Sequence, residues 1–175
     1  KETEKPKEAY RTNFATLKPK KRVLIFSLAY YPNFHGGAEP PIKEITDRID
    51  PQEIEFHMVT CLWNSRFARV ERYGNVLVHR IGTGILDPAN SQYETNKWLK
   101  VNKYLFQLYG AVYALWLHKK YRYDGIWTSM AHAAGIPSAI FKTFSPKTAY
   151  ILTLMEGDPT EHIERVMRPV WPLFK

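Results

Sequence analysis

Cysteine is almost absent from this sequence, since Cys61 is the single one among 175 residues. One thiol cannot form an intrachain disulfide or a cysteine-based zinc cluster, and low cysteine usage is typical of a reducing compartment. Long apolar runs are absent too, and no stretch approaches the ~18 apolar residues that a membrane-spanning helix needs. We therefore expect a cytoplasmic protein, which at most touches the inner face of a membrane peripherally.

Several catalytic and nucleotide-binding motifs are also missing. The sequence has no Gly-x-Ser-x-Gly motif and no Walker A motif, and its Gly-x-Gly segment at residues 82–84 lacks the third glycine of the dinucleotide fingerprint. Its six histidines show no metal-ligand spacing. These absences argue against the common serine-hydrolase, P-loop and dinucleotide-binding classes and against a histidine-based metal site.

Acidic residues are fewer than basic ones, and the formal net charge is +8. Residues 1–22 alone contain eight Lys or Arg and three Glu, so most of the excess lies ahead of the first apolar segment. No nucleic-acid-binding motif accompanies the charge. We interpret residues 1–20 as a basic polar tail and expect no nucleic-acid partner, with a basic nucleic-acid module as the third-ranked alternative.

What the sequence does contain is an alternation of apolar runs and helical patterns. Runs typical of strands buried in a parallel sheet occur near residues 23–28, 54–59, 76–81, 124–128 and 148–154. Helical patterns separate several of them, near residues 39–50, 94–121 and 133–144. Strands that alternate with helices form parallel sheets through right-handed crossovers. We predict an α/β fold, a three-layer Rossmann-like domain with a mainly parallel sheet.

The longest predicted helix spans about residues 94–121. Its apolar residues recur at steps of three and four, at Trp98, Val101, Leu105, Leu108, Val112 and Leu115. An apolar stripe at helical spacing most often faces a core, so we expect this stripe to pack on the sheet. The lysines and aromatic residues of the helix leave one alternative open, namely that it lies against a membrane.

Ligands of such sheets bind beyond the carboxyl ends of the strands. Three segments occupy those positions here: residues 35–39, 129–132 and 155–158. The first contains Gly36 and Gly37, just ahead of a predicted helix. Absent side chains let backbone N–H groups approach a ligand, and a helix N-terminus favours an anion such as a phosphate. The alternative is that the two glycines only permit a tight turn.

Residues 23–39 resemble the start of the retaining GT-B glycosyltransferases of family 4, with a strand, a proline-containing loop and Gly-Gly-Ala-Glu at residues 36–39. Residues 123–127 and 151–159 resemble later parts of the same N-terminal domain, so the likeness runs loosely over residues 21–175. The resemblance implies a hexosyltransferase-type enzyme that moves a sugar from a sugar nucleotide to an acceptor with retention of configuration.

In that family two Rossmann-like domains face each other, and the N-terminal one holds the acceptor. The C-terminal one binds most of the donor through a basic pair and a Glu-x7-Glu element, which this sequence lacks where they are expected. The resemblance therefore implies that residues 21–175 are a truncated acceptor-side domain, inactive alone, whose donor-binding domain is absent. Its partners would be a sugar nucleotide, a glycan, lipid-linked or small-molecule acceptor, and the C-terminal domain of its own parent chain. No cofactor and no metal are implied.

The resemblance assigns the donor-binding role to four consecutive residues. Gly36 and Gly37 would contact the donor diphosphate or the transferred sugar, and Ala38 and Glu39 would open the supporting helix.

Further site residues follow the later strands. His132 stands where family members often place a polar residue near the sugar or the acceptor, with a structural histidine as the alternative. Many members have a histidine after the fifth strand, where this sequence has Met155 and Glu156. We take His132 and Glu156 as candidate catalytic residues and Asp158 as a candidate acceptor-binding residue or a helix cap. The alternative function is a non-catalytic Rossmann-like domain that binds a nucleotide or a protein.

Deletion of residues 1–18 should leave the melting temperature nearly unchanged, because the tail has no apolar periodicity to bury. Circular dichroism melts of the full and shortened chains measure this. A drop of several degrees would show instead that the tail packs on the domain.

Overall fold

One sheet of six strands organises the molecule. The computed structural model describes residues 21–32, 37–89 and 91–154, with the side chains of residues 94, 132 and 133 left aside. The strands are β1 (Lys21–Phe26), β2 (Ile54–Cys61), β3 (Val70–Tyr73), β4 (Val76–Ile81), β5 (Gly125–Ser129) and β6 (Ala149–Thr153). The helices are α1 (Glu39–Asp47), α2 (Gln92–Thr95), α3 (Lys97–Tyr121) and α4 (Ala131–Phe144).

The strand order is β3-β4-β2-β1-β5-β6. Central β1 pairs in parallel with β2 on one side and with β5 on the other. The chain therefore builds the sheet outward from β1 to β4, and then returns to add β5 and β6 on the opposite side. This Rossmann-like order confirms the predicted α/β class, and it opens a crevice between the carboxyl ends of β1 and β5.

The five predicted strands correspond to β1, β2, β4, β5 and β6. They were recognisable because strands covered on both faces are apolar on both faces, and Leu24, Ile25 and Phe26 of β1 are all fully buried. Cys61, at the end of β2, is a buried free thiol. The antiparallel strand β3 was missed: it pairs only with β4, at the sheet edge, and its alternating side chains are largely outside the core.

Two apolar clusters fill the layers on either side of the sheet. On one face, β-strand residues such as Leu24 and Phe26 pack with Phe106 of α3 and Phe141 of α4. On the other face, Ile42 of α1 packs on a cluster formed by Ile25, Met58, Val78 and Trp127. The sheet thus lies between α1 and the α3–α4 pair, which makes the three layers.

Helix α3 is rotated relative to the sequence-based expectation. Its buried residues are Leu99, Asn102, Phe106, Gly110, Ala111, Ala114 and Leu117. Five of the six residues predicted to face the sheet are exposed instead, namely Trp98, Val101, Leu105, Leu108 and Val112. The sixth, Leu115, is half-buried. The expectation that this stripe packs on the sheet was therefore wrong.

Two features explain the rotation. Small side chains at Gly110, Ala111 and Ala114 face inward and let α3 pack closely on α4, although they carry little hydrophobic signal. Asn102 also faces inward: its Nδ2 donates to Leu62 O at 3.0 Å, and its Oδ1 accepts from Thr83 N at 3.1 Å. A buried amide must be hydrogen-bonded, so these bonds fix which side of α3 meets the strand ends.

A polar cluster lies beneath the second half of α3. His57 and His79 are buried with ring centroids 5.5 Å apart, and their Nδ1 atoms pair with Tyr123 Oη at 2.7 Å and Tyr113 Oη at 3.2 Å. The His57 ring, whose Nε2 lies 3.3 Å from Glu55 Oε1, and a hydrogen bond from Arg22 hold the pKa of Glu55 at about 2. Burial lowers the pKa of His79 to about 4, and the neighbouring His57 adds to the shift.

The free energy of unfolding should fall as the pH is lowered from about 6.5 to about 4. The pKa of His79 is lower in the folded than in the unfolded chain, so in this window the unfolded chain binds a proton that the folded chain excludes. The loss amounts to up to about 3 kcal/mol. Replacing His79→Gln should flatten this pH dependence in urea titrations. A variant with the wild-type dependence would contradict the assignment to His79.

Candidate functional site

The candidate site lies at the carboxyl edge of the sheet, where β1 and β5 are neighbours. The segments that follow these strands, residues 27–32 and 130–131, start at this edge, and residues 37–39 lead from it into α1. Thr153 ends β6 at the same edge and accepts a hydrogen bond from Trp127 Nε1 at 2.6 Å. Several backbone segments therefore converge on the edge predicted to bind a ligand.

Gly37 is the described member of the glycine pair, and Gly36 lies outside the described residues. A Cβ atom added to Gly37 would meet no atom within 4 Å, and its φ is outside the left-handed region. The described residues therefore give no steric or conformational reason for a glycine at position 37.

Helix α1 begins immediately after this glycine, as expected, with Ala38 at the N-cap and Glu39 as the first helical residue. Pro40 and Pro41 fill the first turn and carry no N–H, so two of the donors that a helix terminus would offer an anion are missing. The Glu39 side chain is buried and adds a carboxylate to the positive end of the helix dipole. This terminus is consequently a poor site for a phosphate.

Helix α4 begins on the β5 side of the crevice. Met130, its N-cap residue, has φ 69 and ψ 118, a conformation that non-glycine residues rarely adopt. The Met130 N–H donates to Thr153 O at 3.1 Å, which holds this backbone against β6. The Met130 side chain makes no capping hydrogen bond, and no acidic residue lies in the first turn of α4. His132 is in that first turn, and its side chain is not among the described ones.

A row of buried hydroxyl side chains crosses the carboxyl ends of β2, β1 and β5. Ser27, Thr60 and Ser129 each lie one residue beyond the paired positions of Phe26 with Val59 and Thr128. Side chains alternate along a strand, so the three share the α1 face with Ile25, Met58 and Trp127.

The hydroxyl row is buried but incompletely hydrogen-bonded. Ser27 Oγ donates to Ala29 O at 2.9 Å, whereas Thr60 Oγ1 and Ser129 Oγ have no protein partner among the described residues. Unpaired buried hydroxyls are costly, so this polar row lowers the free energy of unfolding. Sequence reasoning missed this row; the available signal was a hydroxyl residue at the end of three neighbouring apolar strands.

Arg80 was also missed, and it holds the segment after β1 in place. This buried guanidinium donates to Tyr31 O at 2.6 Å and to Ala68 O at 2.9 Å, and it pairs with Glu71 at 2.6 Å. It thereby connects the end of β4 to the segment that leads toward Gly37. The signal in the sequence was a charged residue inside the apolar run at residues 76–81.

The remaining predicted site residues lie outside the part of the chain that the structure describes. Glu156 and Asp158 lie outside the described residues, as does Gly36. Among the residues that the structure describes, no cluster of three or more His, Cys, Asp or Glu side chains could hold a metal ion. In the same ranges, none of the helices is both long enough and apolar enough to cross a membrane.

No family model and no curated protein matches the sequence. Among solved structures, the chain is similar to sucrose-phosphate synthase from Thermosynechococcus elongatus, with a TM-score of 0.48 and 13% identity over 78% of this chain and 33% of that one. A second structure of that synthase gives a TM-score of 0.49 and 14% identity over 84% and 71%. For α,α-trehalose 6-phosphate synthase from Burkholderia multivorans the TM-score is 0.48, with 12% identity over 89% and 37%.

The chain thus spans a third of the length of the first of these proteins and little more of the last. All three TM-scores are below 0.5. The Rossmann-like fold is therefore established by the strand order and register of this chain itself.

Replacing Arg80→Met should lower the free energy of unfolding by roughly 2–3 kcal/mol, because two backbone carbonyls and Glu71 lose a buried donor. Arg72→Met is the matched control, since Arg72 is an exposed arginine of neighbouring β3 and approaches Glu55 only at 3.9 Å; it should cost less than about 0.5 kcal/mol. Urea denaturation compares them. Equal effects would show that Arg80 does not hold these segments together.

Proposed function

We propose that this chain is the acceptor-side, N-terminal domain of a GT-B glycosyltransferase that moves a hexosyl group from a sugar nucleotide to an acceptor with retention. The observation that carries the proposal is the position of Gly37. It lies on the segment that leads from β1 into α1 beside the crevice, and no described neighbour requires a glycine there. A ligand that approaches the backbone would supply the missing reason.

The surroundings of Gly37 favour contact with the transferred sugar rather than with the donor diphosphate. Two prolines remove N–H donors from the first turn of α1, and Glu39 adds a negative charge beside the remaining ones. Sugar hydroxyls both donate and accept hydrogen bonds, so they suit backbone amides and a carboxylate better than a phosphate does. The diphosphate would then be bound mainly by the second domain of the parent chain, which stabilises the leaving group electrostatically.

On the β5 side, the first turn of α4 contains His132, and none of the described side chains caps it. We assign His132 to the neighbourhood of the reacting sugar or the acceptor. Glu156, as a second candidate catalytic residue, and Asp158, as a candidate acceptor contact, follow β6 in the sequence and complete the proposal. Neither a metal nor a cofactor is part of it, and the donor enters as a substrate.

The test replaces Gly37 in the complete parent protein. Gly37→Val should lower sugar transfer at least ~100-fold, or about 2.7 kcal/mol of transition-state stabilisation, while Gly37→Ala should have a smaller effect in the same direction. The melting temperature should hardly change, because a side chain at this position meets open space.

Gly125→Ala is the matched control, since its Cβ would make only ordinary contacts, the nearest at 3.7 Å, at the opposite end of β5. It should retain both activity and stability. Near-normal transfer by a folded Gly37→Val protein would remove this segment from the active site and favour the alternative of a non-catalytic Rossmann-like domain that binds a nucleotide or a protein.

The chain of 175 residues should show no sugar transfer on its own with any sugar nucleotide, because the proposal assigns most donor contacts to the second domain. Product formation is measured chromatographically, with the complete parent protein as the positive control. Transfer by the isolated chain would refute this division of the active site.

A further inference from the structure

The outward face of α3 carries a continuous apolar surface that the described part of the fold leaves exposed. Its six exposed members, called the outer stripe here, are Trp98, Val101, Leu105, Leu108, Val112 and Trp116. Each side chain is between 46% and 67% exposed. From Trp98 to Trp116 the stripe runs about 27 Å at 1.5 Å per helical residue. Apolar patches of this extent on a protein surface mark an interaction site.

The apolar surface continues beyond the helix. Val112 and Trp116 also line a hollow of about 630 Å³, which Tyr109, Tyr113 and Ile81 close on the sheet side. Arg69 stands at the same hollow, with its guanidinium hydrogen-bonded to Gly82 O at 3.0 Å. The patch is therefore wider at this end than one row of side chains, and a cation accompanies it.

Every charge on α3 is positive. Lys97 and Lys100 lie in its first turn and Lys119 and Lys120 in its last, and all four are exposed. The sequence contains no Asp or Glu between residues 95 and 123. The outer stripe is thus apolar along its length and has lysines at both ends. Its binding partner should therefore combine an apolar interior with an anionic surface.

We propose that α3 binds an anionic lipid surface, with the outer stripe inserted at the level of the acyl-chain boundary. This pattern is that of a helix that lies in the membrane interface, because the apolar face enters the lipid while the lysines extend to the phosphates. Tryptophan prefers this interface, and Trp98 and Trp116 mark both ends of the stripe. The described helices cannot span a bilayer, so the contact is peripheral.

A second copy of the chain fits this surface less well. If two α3 helices paired along their stripes in antiparallel orientation, Lys97 and Lys100 of one copy would approach Lys119 and Lys120 of the other. In parallel orientation each lysine would approach its own counterpart. Both arrangements bring like charges together without an acidic residue on the helix to offset them.

The experiment measures co-sedimentation of the full 175-residue chain with vesicles. We expect binding to vesicles of phosphatidylcholine and phosphatidylglycerol, weaker binding to phosphatidylcholine alone, and a decrease with added salt. Leu105→Glu with Leu108→Glu should lower the partition coefficient at least ~tenfold, because two carboxylates would have to enter the apolar layer. Tryptophan emission should shift to shorter wavelength only in the protein that binds.

The matched control is Leu86→Glu with Phe144→Glu, which adds the same two charges at exposed apolar positions that are not part of α3. It should bind vesicles almost as the wild type does. A second comparison removes positive charge without changing the outer stripe. Lys97→Gln with Lys100→Gln should weaken binding to anionic vesicles. Its control, Arg48→Gln with Lys147→Gln at exposed basic positions outside α3, should weaken binding less.

Three outcomes would overturn the proposal. The first is equal vesicle binding by the α3 variant and its control, which would assign binding to the net charge or to the basic tail. The second is a wild-type dimer in analytical ultracentrifugation that dissociates in the Leu105→Glu, Leu108→Glu variant, without vesicle binding. The third is a melting temperature several degrees lower in this variant than in its control, which would show that the stripe is covered by the chain itself. None of these readouts requires sugar transfer, so the proposal stands or falls independently of the proposed function.

Discussion

The rotation of α3 depends on one buried amide, that of Asn102. Its nitrogen donates to the backbone of Leu62 beyond β2 and to the sulfur of Cys61, and its oxygen accepts from Thr83 beyond β4. A polar group in this position is costly unless all its bonds are made, so alternative rotations of the helix are disfavoured. Once Asn102 faces the strand ends, the small residues at positions 110, 111 and 114 meet α4, and the larger apolar residues face outward.

The crevice between β1 and β5 follows from the strand order rather than from any single side chain. The two helices beside it begin differently: α1 starts with Glu39 and two prolines, and α4 starts at a strained Met130 whose side chain makes no capping hydrogen bond. Backbone strain of this kind persists only where the surrounding structure holds it, and the bond from Met130 to Thr153 provides part of that support. The two sides of the crevice therefore present different chemical groups.

The sequence located secondary structure best in the strands that are buried on both faces of the sheet. Strands covered on both faces are apolar throughout, so β1, β2, β4, β5 and β6 could be located, and the helical pattern from residue 39 located the start of α1. The sequence was misleading about which face of α3 is buried, because leucine and valine have the same hydrophobicity whether they face a core or an outside partner. The bonds of Asn102 help to distinguish the two cases, and those to Cys61 and Leu62 join residues about 40 positions apart.

The position of the candidate site could be predicted from the sequence, but only some of its residues could be. The segment that contains Gly37, Ala38 and Glu39 was located from local pattern, whereas Arg80 and the hydroxyl row depend on which strands become neighbours. No local signal in the sequence specifies that Ser27, Thr60 and Ser129 will lie side by side. Their proximity is a property of the register, which is fixed only when the sheet assembles.

The two faces of α3 have different consequences for sequence change. On the inner face, a residue larger than Ala111 or Ala114 would separate the helix from α4, so folding itself limits what can stand there. On the outer face, folding accepts almost any side chain, and polar replacements would make the isolated protein easier to keep in solution. Selection for solubility of the isolated protein would therefore make the six residues of the outer stripe more polar, whereas selection for a surface contact would keep them apolar.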